Sequence, residues 1–233
     1  MSLGWIGIAP VVLAALGCHE LESVEPMAGP TAPPDQAVAL PAFNREVLAL
    51  IAGYPDRGFG GYAWPAPAGT AGTTRDLVLG GDTIARGGHG NHCVGVTLEV
   101  YWRALEACPG GAAAGFAGSR AARRFRRLWY VPVDGGAGPA EALPAHRLGA
   151  RIARLDDALP GDFVQAWAAD GSGHSMVFLG WDRDPSGAIR GIRYWSSQPW
   201  TDGIGASSMP VGPDGWEADQ IHVARAACPA ARD

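Results

Sequence analysis

The chain has 233 residues, enough for one sizeable domain or for one domain with a tail. Hydrophobic residues make up 47% of it and charged residues 18%, which is typical of a globular protein with a buried core and argues against a disordered chain. The formal net charge of −5 gives no general case for binding to nucleic acid or to an acidic membrane surface.

The N-terminus has the character of an export signal. Residues 3–17 are mostly apolar, too few to span a bilayer comfortably, and lead directly into Cys18. Segment 1–18 resembles a bacterial lipoprotein signal, whose cysteine would be lipidated and tether the protein to a membrane, although a plain secretory signal or an apolar helix stays open. Residues 19–38 are rich in Pro, Ala and acidic residues and are predicted to be a disordered linker. We therefore expect an exported protein, periplasmic, secreted or anchored as an outer-membrane lipoprotein, with one folded domain at 39–233.

Two helices and a short strand are predicted in the first part of this domain. Apolar residues at helical spacing predict a helix at about 41–52, and a short strand follows at 76–79. The glycine-rich loop 87–90 then leads to Cys93, where a second helix begins and runs until Pro109. Its apolar positions recur at three and four residues: Val94, Leu98, Tyr101 and Leu105.

An arginine-rich run occupies residues 120–127. It is predicted to be an exposed helix that leads into a strand at 128–131. The alternative is that these arginines bind an anionic polymer or a phospholipid head group.

After Leu159 the residue pattern becomes typical of β-hairpins. Strands are predicted at 162–167, 174–181 and 189–195, because apolar and aromatic runs are separated by Asp-Gly-Ser-Gly and Asp-Pro-Ser-Gly turns. Helices followed by an antiparallel sheet place the chain in the α+β class.

Cys93 is the candidate nucleophile. A thiol on the first turn of a helix lies among backbone N–H groups that lack intrahelical partners, and their partial positive charge favours the reactive thiolate. The candidate general base is His174, which begins a strand after a Gly-Ser-Gly turn that leaves one side open. An imidazole there would take the thiol proton and later protonate the leaving amine.

A third residue is needed to orient the imidazole. If the turn at 184–187 is centred between Pro185 and Ser186, paired residue numbers sum to 371 and His174 faces Ser197. Gln198 lies one step away and has an amide oxygen that accepts from an imidazole N–H, so it ranks above the serine. A one-residue bulge would change this choice.

These residues stand in the order and spacing of a known group of enzymes. Cys93-Val94-Gly95, then Pro160-Gly161-Asp162-Phe163, then His174 resemble the papain-like superfamily, and within it the NlpC/P60 and CHAP-like bacterial cell-wall peptidases. The resemblance implies a papain-like fold and a cysteine amidase or endopeptidase that acts, without a cofactor, on peptides such as peptidoglycan stem peptides. It also implies a pocket role for Tyr62, which stands next to Ala63 and Trp64.

Stabilisation of the reaction's oxyanion would start with the backbone N–H of Cys93, and Asn91 or His92 would supply a second donor. Two other functions stay open. His89, His92, Cys93 and His174 are all competent zinc ligands, which would make the chain a zinc hydrolase. The domain would otherwise be a non-catalytic envelope lipoprotein that binds a peptide or a partner.

The remaining cysteines are Cys108 and Cys228, and they would be able to form one disulfide in an oxidising compartment. We expect a monomer whose partner is a peptide or peptidoglycan and not a nucleic acid.

Overall fold

A computed structural model of the protein describes residues 39–55 and 59–230; the predicted signal and linker lie outside these residues. The helices are α1 (Ala42–Ala52), α2 (Cys93–Glu106), α3 (Gly111–Gly115), α4 (Ser119–Trp129) and α5 (Pro139–Ala145). The strands are β1 (Phe59–Gly60), β2 (Leu77–Leu79), β3 (Asp82–Ala85), β4 (Gly149–Ile152), β5 (Phe163–Trp167), β6 (Gly173–Arg183), β7 (Ile189–Gln198), β8 (Gly203–Pro210) and β9 (His222–Ala226).

Seven of these strands form one antiparallel sheet in the order β1-β8-β7-β6-β5-β9-β4, and β2 pairs with β3 in a separate hairpin. The predicted α+β class is confirmed, because the helices come mostly before the main strands and pack on this sheet. As far as the structure describes the chain, none of its helices has the length and apolar character needed to cross a membrane.

Strands β8 and β9 are not predicted from the sequence. Strand β8 contains two glycines and ends at Pro210, residues that disfavour strands, and it forms because β7 offers it a full ladder from Gly191 to Gln198. The predicted strand at 128–131 is wrong, since α4 continues to Trp129. Residues 128 and 129 stay helical because Trp129 is fully buried against Phe163 and two other aromatic rings.

Helix α2 is buried on nearly every side, and α1, α4 and strands β6 and β7 surround it. A single carboxylate, Glu99, ties this helix to the segments before it. Its oxygens accept hydrogen bonds from Tyr54 Oη (2.6 Å), Thr74 N (2.6 Å) and Thr74 Oγ1 (2.7 Å). These three donors satisfy an acid that would otherwise be costly to bury, and they fix the loop that approaches the start of α2.

The Pro-Gly-Asp motif forms a second buried anchor. Asp162 is fully buried and accepts hydrogen bonds from Asn44 Nδ2 (2.7 Å), Leu159 N (2.8 Å), and Arg225 Nε and Nη2 (2.9 and 2.8 Å). Gly161 precedes it at φ +90°, where an added Cβ would lie 2.7 Å from the carbonyl oxygen of Asn44. One carboxylate therefore joins α1, β5 and β9.

A disulfide between Cys108 and Cys228 joins the end of α2 to the C-terminal segment. The two Cα atoms are 5.5 Å apart, and the bridge spans 120 residues of sequence. Closing so long a loop restricts the unfolded chain and stabilises the fold by about 4–5 kcal/mol in the chain-entropy treatment. The pairing that the sequence left open is thus settled.

Replacing Asp162 by Asn is expected to reduce the free energy of unfolding by about 3 kcal/mol, because it leaves the Arg225 guanidinium without its buried counter-charge. Urea unfolding followed by circular dichroism would measure the loss. Asp156→Asn is the matched control, since Asp156 pairs with Arg183 at the surface (2.7 Å) and is expected to contribute less than about 1 kcal/mol. Equal losses in the two variants would contradict this account of Asp162.

Candidate active site

Cys93 is the first residue of α2, and the residue before it caps the helix. His92 has an extended backbone, and its Nδ1 accepts a hydrogen bond from Gly95 N (3.3 Å). Gly95 packs so closely on the preceding loop that an added Cβ would lie 2.1 Å from the carbonyl oxygen of Gly72. The start of the helix is therefore wedged against residues 71–72, which explains the glycine two positions after the cysteine.

The Cys93 sulfur is withdrawn from water, with only 6% of the residue exposed. Burial raises the pKa of the thiol, whereas hydrogen bonds from the backbone of Ser175, Val94 and Cys93 itself lower it to a smaller extent. The N–H groups at the helix start thus act in the predicted direction, but burial outweighs them and the pKa of the thiol is raised. Burial removes more stabilisation of the thiolate by water than the hydrogen bonds from local N–H groups provide.

His174 is the neighbour of Ser175, whose backbone forms a hydrogen bond with the Cys93 sulfur. It is the second residue of β6, and the hydrogen bond from the Ser175 backbone brings Cys93 to this end of the strand. The Cys93 charge also contributes to raising the pKa of Tyr194, whose ring centroid is 5.5 Å from that of His174. Side chains alternate between the two faces of a strand, and the His174 ring packs on Tyr194 and Trp216, in the core cluster on the other face of the sheet from the cluster that contains Cys93. The candidate nucleophile and the strand end that carries the candidate base are thus near each other, but the ring itself is turned to the opposite face.

Aromatic side chains enclose the His174 ring. The Trp216 ring lies nearly parallel to it, at an interplanar angle of 5° and a centroid distance of 6.0 Å, and the Trp200 centroid is 6.2 Å away. Burial lowers the pKa of His174 to about 4, and a hydrogen bond with Gln198 acts in the opposite direction. Sequence reasoning missed both tryptophans, because each is distant from His174 along the chain and nothing local indicates the contact.

The register of the β6–β7 hairpin differs by one residue from the predicted one. Val177 pairs with Trp195, and a bulge follows between Phe178 and Gly180. Paired numbers at this end therefore sum to 372 and not to 371, and continuing the register places His174 across from Gln198. The amide that ranked first on chemical grounds thus takes the position that the assumed register had given to Ser197.

The pair of His174 and Gln198 is only partly satisfied. Gln198 Nε2 donates to the carbonyl oxygen of Gly205 (3.3 Å), which turns its Oε1 toward the interior. Oε1 of Gln198 and Nε2 of His174 are both buried, and neither closes a hydrogen bond of normal geometry within the described residues. Gln198 is nevertheless the side chain whose hydrogen bonding acts on the pKa of His174. The two open atoms are of complementary kinds, an amide acceptor and a ring nitrogen.

Asn91 and Ser197 are used to hold the loop that carries the nucleophile. Asn91 Nδ2 donates to the carbonyl oxygen of Phe59 (3.0 Å), and its Oδ1 accepts a short hydrogen bond from Ser197 Oγ. Asn91 is fully buried, and its backbone bridges that of Tyr62. These contacts give Asn91 and Ser197 positioning roles, and they place the Tyr62 segment beside the loop before Cys93.

His92 acts as a structural cap and packs between two aromatic rings. The Trp64 and Tyr130 rings meet it edge to face at centroid distances of 4.9 and 6.0 Å. Burial lowers the pKa of His92 to about 4, so its Nδ1 remains an acceptor for Gly95. The cap depends on the neutral ring.

The predicted zinc set is not assembled. Among residues 39–55 and 59–230, no group of three or more His, Cys, Asp or Glu side chains is arranged to hold a metal ion. His89 is exposed and lines an open cavity of about 490 Å³ together with Arg75 and Asp76, whereas His92 and Cys93 are buried at the helix start. These side chains thus do not form, among the described residues, the cluster that the zinc alternative requires, and Nδ1 of His92 is engaged by the backbone of Gly95.

The free energy of unfolding is expected to fall as the pH drops from about 6.5 toward 4. The unfolded chain protonates His92 and His174 near pH 6.5, but the folded chain does so only near pH 4, so between these values the unfolded state binds more protons. Each buried ring should contribute about 1–2 kcal/mol to the difference between pH 7 and pH 5.

Urea unfolding at the two pH values would measure this difference. His92→Asn keeps a cap acceptor but removes the titration, and it should remove one ring's share of the pH dependence. The exposed His89→Asn controls for the loss of one histidine. An unchanged pH dependence in His92→Asn would contradict the assignment.

Comparison with known proteins gives no match to a family model, to a curated protein or to a solved structure. The functional argument therefore rests on the placement of Cys93, His174 and Gln198 in this chain.

Proposed function

We propose that this domain is a papain-like cysteine hydrolase that cleaves an amide bond. The observation that carries the proposal is the hydrogen bond from the Ser175 backbone to the Cys93 sulfur, because it brings a thiol at a helix start to the residue beside His174. Gln198 lies across from His174 with an unpartnered amide oxygen, in the position that an orienting residue requires.

The resting state of this pair is neutral. Burial raises the pKa of the thiol and lowers that of the imidazole, so the proton stays on Cys93 at neutral pH. The proposed mechanism requires the His174 ring to turn from Tyr194 and Trp216 toward the Cys93 sulfur. Transfer of the proton to the ring then converts the neutral pair into a thiolate and an imidazolium without changing the net charge. Gln198 Oε1 would stabilise the imidazolium by accepting its second N–H.

The reaction then follows from these positions. The Cys93 sulfur attacks the amide carbonyl, and the backbone N–H of Cys93 donates to the oxygen that becomes negative. His174 returns the proton to the leaving nitrogen as the C–N bond breaks, which leaves a thioester on Cys93. Water, deprotonated by His174, attacks the thioester and releases the acid and the free thiol.

Peptidoglycan stem peptides are the substrate class that we propose, for an exported monomer. The order of the Cys, Pro-Gly-Asp and His motifs supports this class. The disulfide between Cys108 and Cys228 supports export, since such bonds persist in oxidising compartments.

The competing function is a non-catalytic envelope domain that binds a peptide or a partner. The burial of the Cys93 sulfur favours it, because a thiol that is closed off from solvent is usually structural. The two functions differ in one measurable property, which is whether His174 makes the thiol reactive.

Alkylation of Cys93 by iodoacetamide is expected to be independent of pH between about 5 and 8. The thiolate–imidazolium pair and the neutral pair hold the same number of protons, so the reactive fraction does not change with pH above the His174 pKa of about 4. In His174→Ala the rate should rise about tenfold per pH unit, because only the free thiolate reacts.

The full chain with Cys18→Ser would be used, so that Cys93 is the thiol under test, with intact-mass and peptide-map readout. Gln198→Ala should show an intermediate profile, and Ser208→Ala, an exposed residue on the same sheet across from Arg193, serves as the control variant. Identical profiles for the wild-type chain and His174→Ala would overturn the hydrolase proposal in favour of the binding domain.

Release of new amino groups from purified peptidoglycan would test the substrate class. Cys93→Ala should abolish the release, and His174→Ala should lower its rate by about 10²–10⁴-fold, the range typical of a lost general base. If alkylation of Cys93 depends on His174 but peptidoglycan stays intact, the proposed chemistry stands and the proposed substrate class is wrong.

A further inference from the structure

Helix α4 separates its side chains into a buried stripe and an exposed stripe of arginines. The buried stripe consists of Ala122, Phe125 and Trp129, each 0% exposed. At 100° per residue the exposed arginines fall within an arc of roughly 100° on the opposite side and extend about 10 Å along the helix. We call them the α4 arginine face: Arg120, Arg123, Arg124 and Arg127.

The charge of the α4 arginine face is almost uncompensated. Helix α4 contains no acidic residue, and among the described residues the one carboxylate in ion-pair range is that of Asp82, 3.9 Å from Arg123. Both partners of that pair are more than half exposed, so it contributes little. The field of Arg124 reaches His146, where it adds to burial in lowering the pKa.

The scaffold that presents these arginines is fixed in place. Trp129 packs against Tyr101, Phe125 and Phe163 at centroid distances of 5.0–5.5 Å. Arg126, which lies outside the face, donates to the carbonyl oxygen of Ile84 (2.5 Å) and so ties α4 to strand β3. The exposed stripe is therefore a rigid convex ridge.

The chemistry of the ridge suits phosphate groups that are spread over a surface. Every basic residue of the chain is arginine, and a guanidinium binds phosphate through two parallel N–H donors. A convex ridge cannot enclose a small anion, but several arginines on it can meet a plane at once. The net charge of −5 makes such a local concentration of positive charge the exception on this chain.

We propose that the α4 arginine face docks the domain on an anionic phospholipid surface. The chain before Ala39 supports this partner, because its apolar stretch and 20-residue linker are predicted to keep the domain near a membrane. Docking of the ridge would then orient the domain on the surface, independently of any hydrolase activity.

Co-sedimentation of the full chain with vesicles tests the proposal. Vesicles with 30% phosphatidylglycerol would be compared with vesicles of pure phosphatidylcholine, so that insertion of the apolar N-terminus, common to both, cancels. The triple variant Arg120→Gln, Arg124→Gln, Arg127→Gln should lose about a hundredfold of the anionic preference, at about fivefold per arginine. Raising NaCl from 0.05 to 0.5 M should weaken binding of the unaltered chain in the same way.

The matched control changes three exposed arginines elsewhere, Arg154, Arg183 and Arg190, to Gln, with the same change in net charge. A loss confined to the α4 variant supports docking. An equal loss in both variants, or no preference for anionic vesicles, overturns it. Binding of soluble polyphosphate through α4 without binding to vesicles also overturns it, in favour of a soluble polyanion.

Discussion

The burial of helix α2 is the constraint on which the rest of this structure depends. Its first turn is wedged against the Gly72 carbonyl through Gly95, and its middle is tied to earlier segments through Glu99. Strands β6 and β7 then cover its other side. Because the helix is enclosed from its first residue, Cys93 is positioned with little freedom, but it also loses the water that would stabilise a thiolate.

This loss explains the electrostatic character of the candidate site. Burial acts on the Cys93 thiol and the His174 imidazole in opposite directions, and both groups become neutral. In the proposed mechanism a proton passes from the thiol to the imidazole, and the net charge in the apolar surroundings does not change. The backbone hydrogen bond from Ser175 lowers the pKa of the thiol and the amide of Gln198 raises that of the imidazole, each against the larger effect of burial.

The anchors of the fold are separate from this pair. Asp162 joins α1, β5 and β9, and the Cys108–Cys228 disulfide fixes the C-terminal segment to the end of α2. Neither contact includes Cys93 or His174. Substitutions at the candidate pair therefore test chemistry, whereas substitutions at the anchors test stability, and the two kinds of effect can be told apart.

The sequence alone determined those features that arise within a short stretch of chain. Helical spacing after Cys93, the turn at 184–187 and the apolar runs beside it specify α2 and the central hairpin, since periodicity and turn residues act locally. The α+β class followed from their order. The residue types at positions 93, 174 and 198 also sufficed to select the candidate site on chemical grounds.

The tertiary structure decided what depends on residues far apart in the chain. The geometry of the β6–β7 turn and of the two bulges near it set the register one residue from the predicted one at the His174 end. The packing of Trp216 and Trp200 on His174 set its burial, and β8 formed along β7 despite its two glycines. His92 caps α2 because its ring lies where Nδ1 accepts a hydrogen bond from Gly95 N. Local sequence specifies which groups are present and their order, but burial and register come from long-range packing, and these fix the protonation state of the site.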